Sequence, residues 1–200
     1  INTGHRGFSF QLNAPLDMRF NPEAGINAYE YLNTSDAKEI GDTIHLYGEE
    51  RNYRKISHSI SKAARRGQMN TTFELKQAIE NVVNPRFLTK SLARVFQAVR
   101  IKINDELGAI QQALTYSGEW LKSGGRIAII SFHSLEDRLV KQFFVGSANT
   151  CVCPKEYPIC ICNTVPTLRI LTKRALFPSE LEIQKNSRSR SAKLRVAERV

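Results

Sequence analysis

The most distinctive pattern of hydrophobic and polar residues is a short apolar run, then a polar turn, then an amphipathic helix. Ile127–Ile130 follows two glycines and is rich in β-branched residues, which predicts a strand buried on both faces. Ser134 is the predicted N-cap of the helix, and Asp137, three residues later, fits the second position of a capping box. A helix, a strand and a second helix in this order indicate a parallel crossover in an α/β sheet.

The turn after this strand is the first candidate active site, because open α/β sheets bind ligands at the carboxyl ends of their strands. An ordinary βα loop with a serine cap is the competing interpretation, since most such loops are not catalytic. The candidates at this turn are Ser131, Phe132, His133 and Ser134.

Helical periodicity without any strand pattern marks residues 23–91, which predicts a separate helical subdomain. Thr34 or Ser35 is the predicted cap of the second helix, Gly48 and Gly67 end the second and third, and Pro85 marks a break. The four helices are predicted at 27–32, 36–47, 49–65 and 71–83.

The flanking regions contain one long helix and two further strands. The apolar spacing predicts a continuous helix over Ala93–Leu121. Strands are predicted at Leu168–Leu176 and Ala192–Arg199, as an antiparallel pair at the sheet edge, with a turn or short helix at Pro178–Ile183. Residues 1–22 have no clear period and are expected to form an ordered loop, which is often functional.

Composition and charge favour a globular protein with a polyanionic partner. The chain has 200 residues, is 42% hydrophobic, and carries a formal net charge of +10. Such an excess favours nucleic acid, and a solvated basic surface is the alternative. The candidate phosphate-binding residues are Arg6, Arg19, Arg51, Arg54, Lys55, Arg65, Arg66, Arg188 and Arg190.

The sequence contains neither a membrane-spanning apolar run nor a signal peptide, so a cytoplasmic location and no membrane partner are expected. Because it starts at Ile1 without an initiating Met, we expect the chain to begin within a longer protein. No Walker loop, G-x-G-x-x-G, G-x-S-x-G or H-E-x-x-H motif occurs.

A cluster of cysteines is the most metal-like feature. All four cysteines of the chain lie in one twelve-residue loop, and four thiolates can hold a tetrahedral zinc ion. The C-x-C spacing is tighter than the usual one, so reduced thiols and disulfides stay open as alternatives. The four candidates are Cys151, Cys153, Cys160 and Cys162.

Several ordered motifs together carry a family resemblance. They include Arg6-Gly7-Phe8-Ser9-Phe10, Pro15-Leu16-Asp17-Met18-Arg19, Tyr47-Gly48-Glu49-Glu50-Arg51, Phe96-Gln97-Ala98-Val99-Arg100, Ser131-Phe132-His133-Ser134-Leu135-Glu136-Asp137-Arg138 and Ser187-Arg188-Ser189-Arg190-Ser191. The chain closely resembles the bacterial ribosomal RNA small-subunit methyltransferase H family, also called MraW, from its first residue to its last.

This resemblance implies an S-adenosylmethionine-dependent enzyme that methylates N4 of a cytidine in the decoding region of small-subunit ribosomal RNA. It implies a partial class I, Rossmann-like methyltransferase sheet with an inserted helical subdomain, hence an α/β fold class. Residues 1–22 and 92–200 would belong to the methyltransferase domain, and residues 23–91 would be an RNA-recognition insertion. The expected partner is small-subunit ribosomal RNA or the ribosomal subunit, and the oligomeric state stays open, a homodimer included.

The departure from the family lies at the front of the chain. Family members begin with a Gly-rich cofactor loop, a first strand and an Asp-Leu-Gly-x-Ser-Ser motif, none of which occurs here. We therefore expect most cofactor-binding residues to lie upstream of Ile1, and we expect this chain alone to lack a complete adenosylmethionine site and to be inactive.

Methyl transfer to an aromatic amine needs an acceptor near the amino hydrogens and a slot that holds the base. Asp17 and His133 are the candidates for the acceptor or proton relay, and Ser131 and Ser134 for bonds to the base edge. The stacking candidates are Phe8, Phe10 and Phe132, with Phe8 and Phe10 equally suited to anchoring their loop on the core.

Two arginines on helices are expected to form structural pairs, because Arg in an otherwise apolar helix is usually paired. They are Arg100, with Glu106 nearby, and Arg138, with Glu136 nearby. A non-catalytic RNA-binding module is the alternative function.

Overall fold

A computed structural model describes residues 6–151, 153 and 161–200, which form eight α-helices, one short 3₁₀ helix and three strands. The chain divides into two compact units, Ile1–Glu106 and Leu107–Val200. The described part thus contains both helices and a small antiparallel sheet. This agrees with the prediction that the protein is of the α/β class.

The first unit is helical in its described residues. Its helices are α1 (Ala28–Thr34), α2 (Ala37–Gly48), α3 (Tyr53–Ala64), α4 (Thr72–Glu80) and α5 (Pro85–Asn104). The four predicted helices of this region are confirmed. Pro85, predicted as a break, is the first residue of α5, where its missing N–H costs nothing.

Polar side chains fix where these helices begin. Asn27 and Thr71 close capping boxes at the starts of α1 and α4. The predicted cap of α2 is wrong: Asp36, rather than Thr34 or Ser35, accepts the backbone N–H of Glu39. Ser35 instead ends α1, where its N–H bonds the carbonyl of Tyr31.

One core holds this unit together. Tyr31 and Leu32 of α1, Ile44 of α2 and Ile56 of α3 are all almost completely buried. The Tyr31 hydroxyl lies 2.7 Å from the Thr43 hydroxyl. Burial raises the pKa of Tyr31 to about 12, so its phenol stays protonated.

The predicted long helix over Ala93–Leu121 is interrupted. Asp105 has a left-handed backbone with φ of 45°, which ends α5 and separates it from α6 (Glu106–Trp120). The Asn104 amide donates to the carbonyl of Met18 and accepts the N–H of Phe20, so a tertiary contact holds the break. Asp tolerates the left-handed region better than most residues.

The second unit contains the sheet. Its elements after α6 are β1 (Arg126–Ser131), α7 (Ser134–Ala148), β2 (Leu168–Ile170), α8 (Glu180–Lys185), a 3₁₀ helix (Ser187–Ser191) and β3 (Lys193–Arg199). The predicted last strand is confirmed. The strand predicted at Leu168–Leu176 is shorter, since it stops at Ile170 and only Leu176 forms a further isolated bridge, to Leu194.

The strands are ordered β1-β3-β2, and both pairings are antiparallel. One rung crosses all three strands, because Glu198 of β3 faces Arg126 of β1 and Arg169 of β2 and forms ion pairs with both. A parallel partner of β1, which the crossover predicted, does not occur among the described residues.

The two faces of β1 differ in burial. Ile127 and Ile129 pack on a cluster that includes Leu114, Val140 and Phe144. On the other face, the Ile130 side chain is 59% exposed. The prediction of a strand buried on both faces is therefore wrong for the described residues, because β1 lies at the edge of the sheet with one face uncovered.

The division into units does not follow the predicted boundaries at 22/23 and 91/92. Residues 6–20 and α5 lie in the first unit, and α6 through β3 form the second. The assignment of 1–22 and 92–200 to one catalytic domain stays a prediction.

Candidate functional site

The loop before α1 has a fixed backbone. Gly7 has φ of 72°, and a Cβ there would collide with the carbonyl oxygen of Pro15. Met18 is fully buried with φ of 59°, which is unusual for a non-glycine residue. Its N–H donates to the carbonyl of Arg6 at 2.8 Å. A strained backbone held in place by tertiary bonds is common at functional sites.

Asp17, next to Met18, is an acidic residue of this loop. Its carboxylate accepts two bonds from the Arg19 guanidinium, Nε–Oδ1 at 2.7 Å and Nη2–Oδ2 at 3.2 Å. These bonds lower the pKa of Asp17 below its ordinary value, although partial burial opposes them. The Asp17 side chain is 25% exposed, so a charged acceptor remains accessible to solvent.

The aromatic residues of the same loop are partly committed to packing. Phe10 meets Phe96 edge-on at 5.6 Å between ring centroids, and Phe8 stacks on Phe20 at 5.8 Å. Phe8 and Phe10 both contact the hydrophobic core, whereas Phe20 is 46% exposed. Phe10 therefore has the contacts of a structural anchor. Phe8 is covered by the exposed ring of Phe20.

A basic groove runs between α3 and α4 in the first unit. It encloses about 770 Å³, and several of its lining residues are cationic. Five basic or imidazole side chains line it: Arg54, Lys55, His58, Lys62 and Arg66. Three predicted phosphate-binding residues are thus brought together, while Arg51 and Arg65 are exposed outside the lining. Glu74 adds one acidic group to the wall.

The other predicted phosphate-binding residues have two different settings. Arg6 donates to the carbonyl of Phe20 and Arg19 is paired with Asp17, so both hold the loop. Arg188 and Arg190 are exposed on the 3₁₀ helix of the second unit.

The carboxyl end of β1 forms a compact hydrogen-bonded turn. His133, rather than the predicted Ser134, is the N-cap of α7, and its Nδ1 accepts the N–H of Glu136. Glu136, rather than Asp137, completes the capping box, because its Oε2 accepts the N–H groups of Phe132 and His133. The predicted cap was one residue too late, since histidine is not among the usual caps.

Glu136 is the residue at this turn that sequence analysis missed as a site residue. Burial acts to raise the pKa of Glu136, but the nearby His133 ring and the bond from the Phe132 N–H outweigh it and lower the pKa. Nε2 of His133 is buried 3.2 Å from Oε1 of Glu136 and makes no hydrogen bond within the described part of the chain.

The remaining candidates of the turn differ in how far they are buried. Ser131 is buried, and its hydroxyl lies 3.4 Å from the carbonyl of Lys193 on β3. Ser134 is exposed. Phe132 is 55% exposed, so its ring is accessible for stacking.

Asp137 serves the fold of the second unit. It accepts two bonds from Arg195, at 2.6 and 3.2 Å, and one from Lys193. The Arg195 bonds, more than any other interaction, lower the pKa of Asp137.

The predicted structural pairing of Arg100 is confirmed by two bonds to Glu106, at 2.7 and 3.0 Å.

Three of the four cysteines lie together in the second unit. The sulfurs of Cys151, Cys153 and Cys162 all lie within 4.8 Å of one another. Cys160 lies outside the described residues, so its predicted place in the cluster stays a prediction.

Comparison with known proteins decides the family. The sequence model of the MraW methylase family matches residues 1–200. The chain belongs to this family. The motif resemblance is thereby confirmed over its whole length.

Named relatives in the MraW family are similar over nearly the whole chain. A protein of Carboxydothermus hydrogenoformans is 45% identical over 98% of the chain, and one of Dehalococcoides mccartyi is 47% identical over 97%. A third, of Caldicellulosiruptor saccharolyticus, is 46% identical over 100%. All three are named ribosomal RNA small subunit methyltransferase H. The MraW chain spans 63%, 55% and 66% of their respective lengths.

No helix in residues 6–151, 153 and 161–200 is long and apolar enough to cross a membrane.

Proposed function

We propose that this chain is part of an S-adenosylmethionine-dependent enzyme that methylates N4 of a cytidine in the decoding region of small-subunit ribosomal RNA. The observation that carries the proposal is the match of the entire chain to the MraW family, whose similar members bear ribosomal RNA methyltransferase names. The formal net charge of +10 is consistent with an RNA substrate.

Asp17 is the proposed acceptor for the amino group of the cytosine. Its ionised carboxylate is oriented by Arg19 and is still 25% exposed. A carboxylate with a lowered pKa is a weak base but a strong hydrogen-bond acceptor. Asp17 would therefore orient an N–H of the exocyclic amine and polarise its nitrogen, rather than take up the proton at neutral pH.

Phe132 is the proposed stacking surface for the extruded base, because it is the most exposed of the three predicted stacking residues. His133 holds α7 through its Nδ1, so its proposed role is to position the turn that carries Phe132. A relay role for His133 stays a prediction, as do the base-edge contacts of Ser131 and Ser134.

The described residues at the carboxyl end of β1 do not by themselves fit the cofactor. A carboxylate commonly holds the ribose in α/β folds of this kind, but Oε2 of Glu136 already accepts two backbone N–H groups, and the Ser131 hydroxyl lies 3.4 Å from a carbonyl. When bound, S-adenosylmethionine would supply an electrophilic methyl group. The relatives are longer than this chain. We propose that the residues that bind S-adenosylmethionine belong to the corresponding additional part of the whole protein.

The proposal predicts that Asp17→Asn in the whole enzyme lowers kcat on small ribosomal subunits by about 100-fold, since the amide presents a weaker acceptor. Transfer of labelled methyl groups to ribosomal RNA, with nucleoside analysis of the product, measures this. Asp42→Asn, on an exposed part of α2, is the matched control and keeps wild-type activity.

Two results would contradict parts of this proposal. A whole protein that binds ribosomal RNA but methylates no nucleic acid would favour the non-catalytic RNA-binding module, and methylation of duplex DNA in place of ribosomal RNA would contradict the proposed substrate. Unchanged kcat for Asp17→Asn would remove Asp17 from the reaction and leave the family assignment intact.

A further inference from the structure

Two apolar side chains in the described part of the loop between α7 and β2 are exposed. Ile161 is 70% exposed and Val165 is 77% exposed. The loop is closed at its base, where the N–H of Thr167 donates to the carbonyl of Ser147 at 2.8 Å. A metal clip that closes a long loop is expected to stabilise it, because it restricts the unfolded chain.

One sulfur pair has the separation expected in a tetrahedral zinc site, and the third sulfur lies close to both. Zinc–sulfur bonds of about 2.3 Å place two ligands of a tetrahedron about 3.8 Å apart. The sulfurs of Cys151 and Cys162 are 3.8 Å apart, and the sulfur of Cys153 lies within 4.8 Å of both. A disulfide would require about 2.05 Å.

Each of these sulfurs also accepts a hydrogen bond from the loop. The N–H of Cys153 points to Cys151 Sγ at 3.4 Å, and the N–H of Ile161 points to Cys153 Sγ at 3.4 Å. The Thr164 hydroxyl lies 3.1 Å from Cys162 Sγ. Donors aimed at sulfur stabilise thiolates and orient metal ligands.

We propose that Cys151, Cys153 and Cys162 bind a zinc ion that fixes the loop between α7 and β2. Three sulfurs occupy three corners of the tetrahedron and leave one for a further ligand. Thiolates select soft or borderline metals, and zinc binds them in tetrahedral geometry without redox chemistry. Binding releases the thiol protons to solvent, so zinc affinity should fall as the pH is lowered. This inference does not depend on the methyltransferase proposal.

The test is the metal content of the 200-residue chain, purified without chelator or polyhistidine tag and incubated with zinc chloride before desalting. Elemental analysis should find one zinc per chain. Cobalt substituted for zinc should give the intense near-ultraviolet bands of thiolate-to-cobalt charge transfer. Cys151→Ser and Cys162→Ser should each abolish stoichiometric zinc, and Thr164→Val should weaken it about 10-fold.

His58→Ala is the matched control, because it removes a metal-capable side chain of the first unit and should leave the zinc content unchanged. Wild-type chain that holds no zinc, or that holds iron or copper in its place, overturns the proposal. A disulfide found by thiol titration of the zinc-treated, denatured chain also overturns it. Because these measurements are made on wild-type protein, they remain decisive even if a cysteine variant misfolds.

Discussion

At the scale of single residues, acidic side chains are held ionised by donors from the same compact unit. Asp17 is paired with Arg19 two positions away, whereas Asp137 is paired with Arg195, which is 58 positions away. Both carboxylates have a lowered pKa because of these arginines. The first pairing is local in sequence, and the second exists only because β3 passes beside the start of α7.

Asp137→Asn should lower the free energy of unfolding of the chain by about 2 kcal/mol at pH 7, since it removes charge-assisted bonds from a carboxylate that is 13% exposed. The pKa of Asp137 is lowered on folding, so its contribution is present above about pH 4 and is lost as the pH falls through the folded-state value. The variant should therefore lose less stability than wild type between about pH 5 and about pH 2.

Urea unfolding at a series of pH values measures both effects. Asp42→Asn provides the control, because this side chain is exposed and should change the unfolding midpoint little. Equal acid sensitivity in wild type and Asp137→Asn would contradict the assigned ion pair.

At the scale of elements, caps and side-chain ties decide where helices start and stop. His133 caps α7 with its ring, and Asn104 bridges to the loop before α1 where α5 ends. Periodicity indicated the helices, but it extended one helix across Asp105 because apolar spacing continues there. Such breaks depend on tertiary bonds that leave no periodic pattern.

His133→Ala should destabilise the chain by about 1 kcal/mol through loss of the cap, whereas His133→Asn should keep wild-type stability. Thermal unfolding of the two variants measures this. In the whole enzyme, activity retained by His133→Asn would assign His133 to positioning. Activity lost by His133→Asn at full stability would instead support the relay role.

The groove between α3 and α4 should bind RNA through its charges. Lys55→Ala combined with Lys62→Ala should weaken binding to a fragment of small-subunit ribosomal RNA and should lower the salt slope by about 2, one per lost phosphate contact. Lys38→Ala combined with Lys76→Ala, outside the groove lining, is the charge-matched control. Filter binding over a salt series measures the RNA affinity of both double variants. An equal loss of affinity in the two would assign the effect to net charge alone.

At the scale of the whole molecule, the second unit exposes apolar surface beside an open sheet edge. A groove of about 380 Å³ between α6 and β1 is lined by Ile110, Leu114, Trp120, Leu121, Ile127 and Ile129. Trp120 is 73% exposed, and β1 has β3 as its only strand partner among the described residues. Open edges and apolar grooves usually accept further structure.

The 200-residue chain alone should bind S-adenosylmethionine weakly or not at all, and the whole protein should bind it stoichiometrically. Isothermal titration calorimetry of both, under the same buffer conditions, measures the difference. Tight stoichiometric binding by the chain alone would show that its own residues complete the cofactor site.

The sequence by itself determined the family, the positions of α1 to α4 and the last strand. These features depend on periodicity, caps and neighbours within a few residues. Only the tertiary structure decided that β1 has an uncovered face, that Glu136 closes the turn with His133, and that Asp137 meets Arg195. The physical reason is that burial and ion pairing depend on which elements become neighbours, and hydrophobic spacing along the chain does not specify the neighbour.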